Sequence, residues 1–243
     1  MILLIGTGHV FDLSSALLDI FDEREPDAIA VELDKQRYNA LMMKRADLDS
    51  YKKTEKTAPV IYKLLSRFQN NMAKEYGVNA GDEMLMAINY AQSHQIPLEF
   101  IDMNAQKLFS KILKSMSFSE KLRMFFSGIG GIFVSRKRVE KELEKIEENF
   151  DTYVEQIGEK FPTIKRVLID ERNAHMTQKL KILTEEHEKV IAVIGDGHIP
   201  GVSRLLDEKN IKFETIRLNQ LRNHNPSDVD SSTASFSMEY KEM

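Results

Sequence analysis

Short apolar runs rich in β-branched residues alternate with helical patterns at both ends of this chain, and this alternation constrains the fold most strongly. The runs predicted to be strands cover residues 1–5, 28–33, 97–101, 190–194 and 211–218. Strands that alternate with helices are typical of a parallel or mostly parallel sheet. The sequence therefore predicts an α/β protein with a mostly parallel central sheet and flanking helices.

The middle of the chain follows a different pattern. It has no convincing strand between about 104 and 186, so a large all-helical insertion is predicted between the two halves of the sheet. Ser117-Phe-Ser-Glu120 has the spacing of a capping box that opens a helix, and a long helix is predicted over 163–186. We expect a single domain at 1–218, followed by a polar tail at 219–243 with the composition of a disordered segment.

One insertion helix carries apolar residues at alternating four- and three-residue steps, the spacing of a coiled-coil seam. The residues of this seam are Val139, Leu143, Ile146, Phe150, Tyr153 and Ile157. The seam either packs along a neighbouring helix of the same chain or forms a homodimer contact, and the pattern leaves both open.

Composition excludes several kinds of chemistry. The 243 residues include no cysteine, which rules out disulfides, thiolate catalysis and cysteine-held metals. A formal net charge of -4 gives no general attraction to nucleic acid or to anionic membranes. The most apolar later run, at 124–134, is about half as long as a membrane-spanning helix, and the first strand begins without a basic leader. We expect a cytoplasmic protein with no membrane segment and no nucleic-acid partner.

A near repeat marks the ends of the first and fourth predicted strands. The segments Leu3-Leu-Ile-Gly-Thr-Gly-His-Val10 and Ala192-Val-Ile-Gly-Asp-Gly-His-Ile199 share an apolar strand, a Gly-x-Gly-His turn and a β-branched residue. Ligands of open α/β sheets bind beyond the carboxyl ends of the strands, and glycines let the backbone turn sharply and approach a ligand. The repeated site positions are Gly6, Gly8 and His9 in the first copy and Gly195, Gly197 and His198 in the second. If both strands are central, the two imidazoles converge on one point.

The first copy also imitates a dinucleotide-binding fingerprint, with Glu32 as the acidic residue at the end of the second strand. That fingerprint requires a third glycine for close packing of helix on strand. Phe11 occupies the corresponding position here, and Pro200 occupies it in the second copy. The sequence therefore favours a site built on the two histidines.

Metal binding or water activation at two imidazoles needs carboxylates nearby. Glu32 is the leading candidate, although it could instead pair with Arg37 or cap the next helix. Glu83 is predicted to lie in the first turn of a helix, where the helix dipole alone also favours a carboxylate. Asp102 follows the third strand at a position where carboxylates often serve ligands.

A polar cluster interrupts the amphipathic pattern of the helix predicted at 163–186. It contains Glu171, Arg172 and His175, and the spacing of Glu171 and His175 puts them on one helix face. The same spacing suits either a metal site or a surface pair.

Together these residues resemble the TraB/PrgY (pheromone-shutdown) family, which is related to GumN and to the Tiki metalloproteases. The resemblance spans about residues 1–218. The matching segments are Ile5–His9, Pro26–Asp34 with Arg37, Gly81–Met84, Phe100–Asp102, Glu171–Met176 and Val193–Gly201.

The resemblance implies that two Gly-x-x-His motifs form the site, together with Glu32 and the pair Glu171 and Arg172. Tiki-like relatives resemble metal-dependent peptidases, and TraB-like proteins are named for reducing peptide-pheromone activity. The expected function is a metal-dependent hydrolase for a peptide or another amide. His9, His198 and Glu32 would hold Mn²⁺, Co²⁺ or Zn²⁺, Glu171 or Glu83 would act as general base, and Arg172 would stabilise the oxyanion.

Two features depart from the family pattern and leave alternatives open. Met103 stands where relatives often carry arginine, and the polar tail stands where many carry membrane helices. One alternative is metal-free hydrolysis with a histidine as general base, as erythromycin-esterase-like relatives suggest. The other is a non-catalytic regulatory protein that binds a peptide or nucleotide in the same crevice, with the insertion as a lid or dimer contact.

Overall fold

The computed structural model describes residues 1–8, 13–45, 82–123 and 158–223. Its centre is a five-stranded parallel sheet in the order β3-β2-β4-β1-β5. The strands are β1 Ile2–Thr7, β2 Ala28–Val31, β3 Leu98–Phe100, β4 Val190–Gly195 and β5 Phe213–Ile216. All five lie within or next to the predicted runs, so the predicted α/β fold is confirmed.

Strand β4 lies between β2 and β1, although it comes fourth in the chain. It pairs Val193 with Val31 on one side and Gly195 with Thr7 on the other. Gly6 pairs with Ile194, so the two copies of the repeat are neighbours offset by one residue in the ladder. Because all strands are parallel, their carboxyl ends share one edge of the sheet, which we call the carboxyl edge. The structure thus places both repeat-bearing strands in the centre.

Helices cover both faces of the sheet, and alternate residues of each strand face opposite cores. The helices are α1 Ser14–Arg24, α2 Lys35–Arg45, α3 Asp82–Ser93, α4 Ala105–Ser115, α5 Pro162–Lys165, α6 Glu171–Glu186, α7 Ile199–Asp207 and α8 Leu218–Arg222. One core joins α1 and α3 to Leu3, Ile5 and Val193. The other joins α6 and α7 to Ile2 and Leu4.

The described part of the insertion has a small core of its own. Leu108 and Ile112 of α4 and its C-cap residue Met116 pack against Val167. Asn104 caps the start of α4, and its side chain accepts a 3.0 Å hydrogen bond from the Lys107 N–H. The described portion of the insertion is helical, as predicted.

A buried glutamate joins two described parts of this insertion. Glu120 accepts a 2.9 Å bond from the Ser117 N–H, and the Glu120 N–H donates to Ser117 Oγ at 3.2 Å, which confirms the predicted capping box. The same carboxylate accepts the N–H and hydroxyl of Thr163 at 2.8 and 2.9 Å. Burial acts to raise the pKa of Glu120, but these hydrogen bonds outweigh it and lower the pKa to about 2.

One local prediction differs from the structure. The helix predicted over 163–186 contains a π-helical segment, Arg166–Asp170, between α5 and α6. Helix α1 follows Leu13, which forms no side-chain cap. Helix α7 begins at Ile199 with Pro200 in its first turn, where proline is tolerated.

The last described residues continue the fold beyond the fifth strand. The boundary predicted at Asn219 falls inside α8, whose Leu221 is buried in the core shared with α1. The apolar seam at 139–157 lies outside the described residues, as does the homodimer contact proposed for it. Among the described helices, none combines the length and apolar character needed to cross a membrane.

Candidate functional site

Glu32 connects three elements at the carboxyl edge. It follows β2, is buried, and accepts a 2.6 Å hydrogen bond at Oε2 from the N–H of Gly195. Its Oε1 is paired with Arg172 and lies 3.5 Å from Nε2 of His198. The structure therefore brings together Glu32, Arg172 and His198.

Glu32 neither caps the next helix nor pairs with Arg37, the two alternatives that the sequence left open. The next helix, α2, is capped by Asp34, which accepts from the N–H groups of Gln36 and Arg37 at 2.8 and 3.2 Å. Arg37 pairs instead with Asp102, at 3.1 Å between Nη1 and Oδ2. The carboxylate of Glu32 is thus directed toward β4 and α6.

His198 is held in one orientation by an amide. It ends a short 3₁₀ turn, Asp196–His198, directly after β4, and is buried. Its Nδ1 lies 2.6 Å from Oδ1 of Asn173. An amide oxygen can only accept, so this contact places a proton on Nδ1, and Nε2 is the ring nitrogen that faces Glu32. Asn173 is a site residue that the sequence reasoning missed, although it is next to Arg172.

Arg172 is a permanent cation between two carboxylates. Its Nε and Nη2 donate to the two oxygens of Asp102 at 2.8 and 3.0 Å, and Nη2 also pairs with Glu32. Its Nη1 donates to the carbonyl of Leu168 in the π-helical segment at 3.3 Å. Burial acts to lower the pKa of Arg172, but the charges of Glu32 and Asp102 outweigh it and raise the pKa above its ordinary value.

Three glycines make room for the polar side chains of this site. A Cβ atom on Gly6 would lie 2.2 Å from Oδ1 of Asp196, and one on Gly195 would lie 3.3 Å from Oε2 of Glu32. A Cβ on Gly201 would lie 2.0 Å from Nδ2 of Asn173. The close approach of these side chains thus explains why positions 6 and 195 of the repeat are glycine.

Asp196 distinguishes the second copy of the repeat from the first, which has Thr7 at that position. Asp196 accepts from Nε and Nη2 of Arg217 at 2.9 and 2.7 Å, and from the N–H of Leu218 at 2.8 Å. These bonds fasten the turn that carries His198 to the segment between β5 and α8. Asp196 is a charged residue between two glycines, and this unusual position is the sequence signal from which its contact with Arg217 could have been expected. A carboxylate against Gly6 would also repel a dinucleotide phosphate.

Two other predicted residues of α6 make contacts of their own. Glu171 pairs with Lys111 at 2.7 Å and with Arg166 at 2.8 Å, on the side of α6 that faces the insertion. His175 is half-buried, and burial and then the charge of Lys179 lower its pKa.

Glu83 is buried in the first turn of α3. Because α3 ends just before β3 begins, its first turn lies toward the carboxyl edge. That position is on the opposite face of the sheet from α6. His9 lies outside the described residues, so the convergence of the two imidazoles stays a prediction. Gly8 is the last described residue before His9, and Gly197 lies inside the 3₁₀ turn Asp196–His198.

The described cluster can be compared with a cation site. Imidazole nitrogen and carboxylate oxygen bound to one divalent ion lie roughly 3 to 3.5 Å apart. The 3.5 Å between Nε2 of His198 and Oε1 of Glu32 fits that range, and Asn173 supplies the outer hydrogen bond that ligating histidines usually make. Within the described ranges no three His, Asp or Glu side chains form a complete metal centre. The residues present thus fit two positions of such a site.

The fold and the site together define the class: an α/β protein with a parallel sheet. A carboxylate, an imidazole and a guanidinium are joined at the carboxyl edge of that sheet. The TraB/PrgY/gumN family model matches residues 1–215, and the chain belongs to that family. An uncharacterized protein of Methanocaldococcus jannaschii is 30% identical over 210 residues, which cover 84% of this chain and 53% of the relative. The chain thus spans about half the length of the curated relative that it matches. The family resemblance drawn from the motifs is confirmed.

Proposed function

We propose that the protein is a divalent-metal-dependent hydrolase that cleaves a peptide or another amide. The observation that carries the proposal is the pair formed by Nε2 of His198 and Oε1 of Glu32, 3.5 Å apart and each oriented by a separate partner. His198, Glu32 and His9 would hold the cation, with Mn²⁺, Co²⁺ and Zn²⁺ as candidates for this set of nitrogen and oxygen ligands.

Each side chain has a definite task in this proposal. When bound, the cation supplies Lewis acidity and makes a water more acidic. Asn173 keeps the lone pair of His198 on Nε2, and the Gly195 N–H fixes the plane of the Glu32 carboxylate. Arg172, which is charged at all working pH values, stabilises the negative charge that develops on the amide oxygen.

The hydrolysis itself moves one proton. The water oxygen forms a bond to the amide carbon, the carbon–nitrogen bond breaks, and the proton is delivered to the leaving amine. The general base is assigned to Glu83 or Glu171. Lys111 and Arg166 already engage the Glu171 carboxylate, so Glu171 would have to exchange these partners to act as the base.

Metal content and amide hydrolysis test the proposal together. We expect His198→Ala, His9→Ala and Glu32→Gln each to lower the affinity for Mn²⁺, Co²⁺ or Zn²⁺ by at least about 10-fold and to abolish turnover of a peptide library. His187→Ala, on the residue that caps the far end of α6, is the matched histidine control and keeps both properties. Metal content unchanged by His198→Ala would contradict the metal assignment.

Metal-free hydrolysis is a second candidate, and one contact favours it. Arg172 already neutralises the carboxylate oxygen of Glu32 that a cation would share. With Nε2 unprotonated, His198 would then act as general base on water without a metal ion. Full turnover by enzyme dialysed against a chelator supports this candidate, whereas loss of turnover that Mn²⁺, Co²⁺ or Zn²⁺ restores excludes it.

A further inference from the structure

A second arginine, Arg37, lies near the proposed catalytic groups and contacts them through Asp102. It belongs to the first turn of α2, and its Nη1 donates to Oδ2 of Asp102 at 3.1 Å. Asp102 in turn binds Arg172, which pairs with Glu32. Arg37 is therefore the outer end of a chain of contacts that leads inward to the site.

The guanidinium of Arg37 keeps donors for another group. The side chain of Arg37 is 30% exposed, whereas that of its ion-pair partner Asp102 is 3% exposed. Among the described residues, its contacts use Nη1, so Nε and Nη2 face no described acceptor. A guanidinium fixed through one nitrogen still offers a second edge that can bind a carboxylate with two parallel hydrogen bonds.

The charges along this series of contacts indicate the charge of the ligand. Glu32, Arg172, Asp102 and Arg37 alternate in sign, and their four charges cancel. The carboxylate of Asp34 is occupied by backbone N–H groups of Gln36, Arg37 and Ala105, at 2.8, 3.2 and 3.3 Å. A cation held at Glu32 would leave a net positive charge at the carboxyl edge, which an anionic substrate group would balance.

We infer that Arg37 is a specificity-determining residue that binds a carboxylate of the substrate, either the free C-terminus of a peptide or an acidic side chain. This inference rests on the proposed function, because it assumes that the substrate lies at the carboxyl edge. It narrows the expected substrates from amides in general to peptides with a negative charge beside the cleaved bond.

Three tripeptide probes distinguish the two sources of the carboxylate. The first is N-benzoyl-Gly-Ala-Gly with a free C-terminus, the second is its C-terminal amide, and the third is N-benzoyl-Gly-Glu-Gly amide. Isothermal titration on the Glu83→Gln, Glu171→Gln double variant, which lacks both candidate bases and keeps the proposed metal ligands, measures binding without turnover. A charge-assisted pair predicts that one carboxylate probe binds roughly 10- to 100-fold more tightly than the neutral amide.

Variants of α2 test whether Arg37 is the source of this preference. We expect Arg37→Gln to reduce the preference to about 1-fold, Arg37→Lys to keep part of it, and Lys35→Gln to leave it intact. Lys35 is the matched control because it carries the same charge two residues earlier and is exposed. In the active enzyme, Arg37→Gln is expected to raise KM about 10-fold or more with kcat changed less than about 2-fold.

The possible outcomes distinguish carboxylate binding by Arg37 from the proposed amide hydrolysis. Equal affinity for all three probes, binding of none, or a preference that survives Arg37→Gln overturns the inference. The first two results come from protein with Arg37 intact, so they do not depend on whether Arg37→Gln folds. Peptide binding with a carboxylate preference but without turnover in the wild-type protein overturns the proposed function and leaves the inference standing. Turnover without a preference for carboxylate probes overturns the inference and leaves the proposed function standing.

Discussion

Gly201 illustrates how single residues shape the site. It lies in α7, where alanine would ordinarily stabilise a helix by about 0.5–1 kcal/mol relative to glycine. Here a Cβ would lie 2.0 Å from Nδ2 of Asn173 and 2.9 Å from its Cγ. Because Asn173 is buried and holds Nδ1 of His198, it cannot move away without releasing the imidazole.

We therefore expect Gly201→Ala to lower the free energy of unfolding by roughly 1–3 kcal/mol and to weaken metal binding and turnover. Chemical denaturation and metal titration measure the two effects. Gly158→Ala is the matched control, since its Cβ would meet Cδ of Lys165 at 2.5 Å, on a flexible side chain that can shift. A Gly201→Ala protein as stable and as active as the wild type would show that Asn173 does not hold His198.

At the scale of elements, Glu120 connects the helical residues 118–123, which follow its capping box with Ser117, to α5. Its folded pKa is about 2, against an ordinary value of 4.5. A depressed carboxylate pKa means that the folded state favours the charged form. The resulting stabilisation is complete above pH 4.5 and is lost as the pH falls through about 2.

Glu120→Gln is accordingly expected to destabilise the protein by roughly 1–3 kcal/mol at pH 7, because the Thr163 N–H and hydroxyl lose a charged acceptor. The difference from the wild type should shrink steadily between pH 4.5 and pH 2, which urea denaturation at a series of pH values measures. Glu159 is exposed and lies shortly before α5. Glu159→Gln should therefore leave the free energy of unfolding almost unchanged at any pH. A difference from the wild type that does not change with pH would contradict the role of the charged carboxylate.

At the scale of the whole molecule, the strand order makes the sheet depend on its fourth strand. Strand β4 pairs with both β1 and β2, which do not pair with each other. Residues 2 and 190 must therefore meet before the centre of the sheet exists. Such distant pairing is slow to form and is formed late.

A chain that ends at residue 186 is expected to show no cooperative thermal unfolding, since it has β1 without either neighbour and an isolated β2-β3 pair. A chain that ends at residue 223 retains every described element and should unfold like the full protein. Calorimetry compares the three chains. A cooperative transition in the shorter fragment would show that the two cores form without β4.

Local patterns were sufficient to predict the elements. The apolar runs predicted all five strands, and the Ser117–Glu120 spacing predicted a capping box that the structure contains. Both depend on residues a few positions apart. The π-helical segment was missed because it differs from an α-helix by one residue in a continuous amphipathic pattern.

The sequence by itself determined which residues end the parallel strands, because strand ends follow from apolar runs and the turn residues after them. That was sufficient to select Glu32 and His198 as neighbours at one edge. Only the tertiary structure decided that Arg172 bridges Glu32 and Asp102, that Asn173 holds His198, and that Asp196 pairs with Arg217. The physical reason is that each of these bonds depends on which strands are adjacent and on how α6 and β5 pack beside them, and periodicity along the chain carries no information about either.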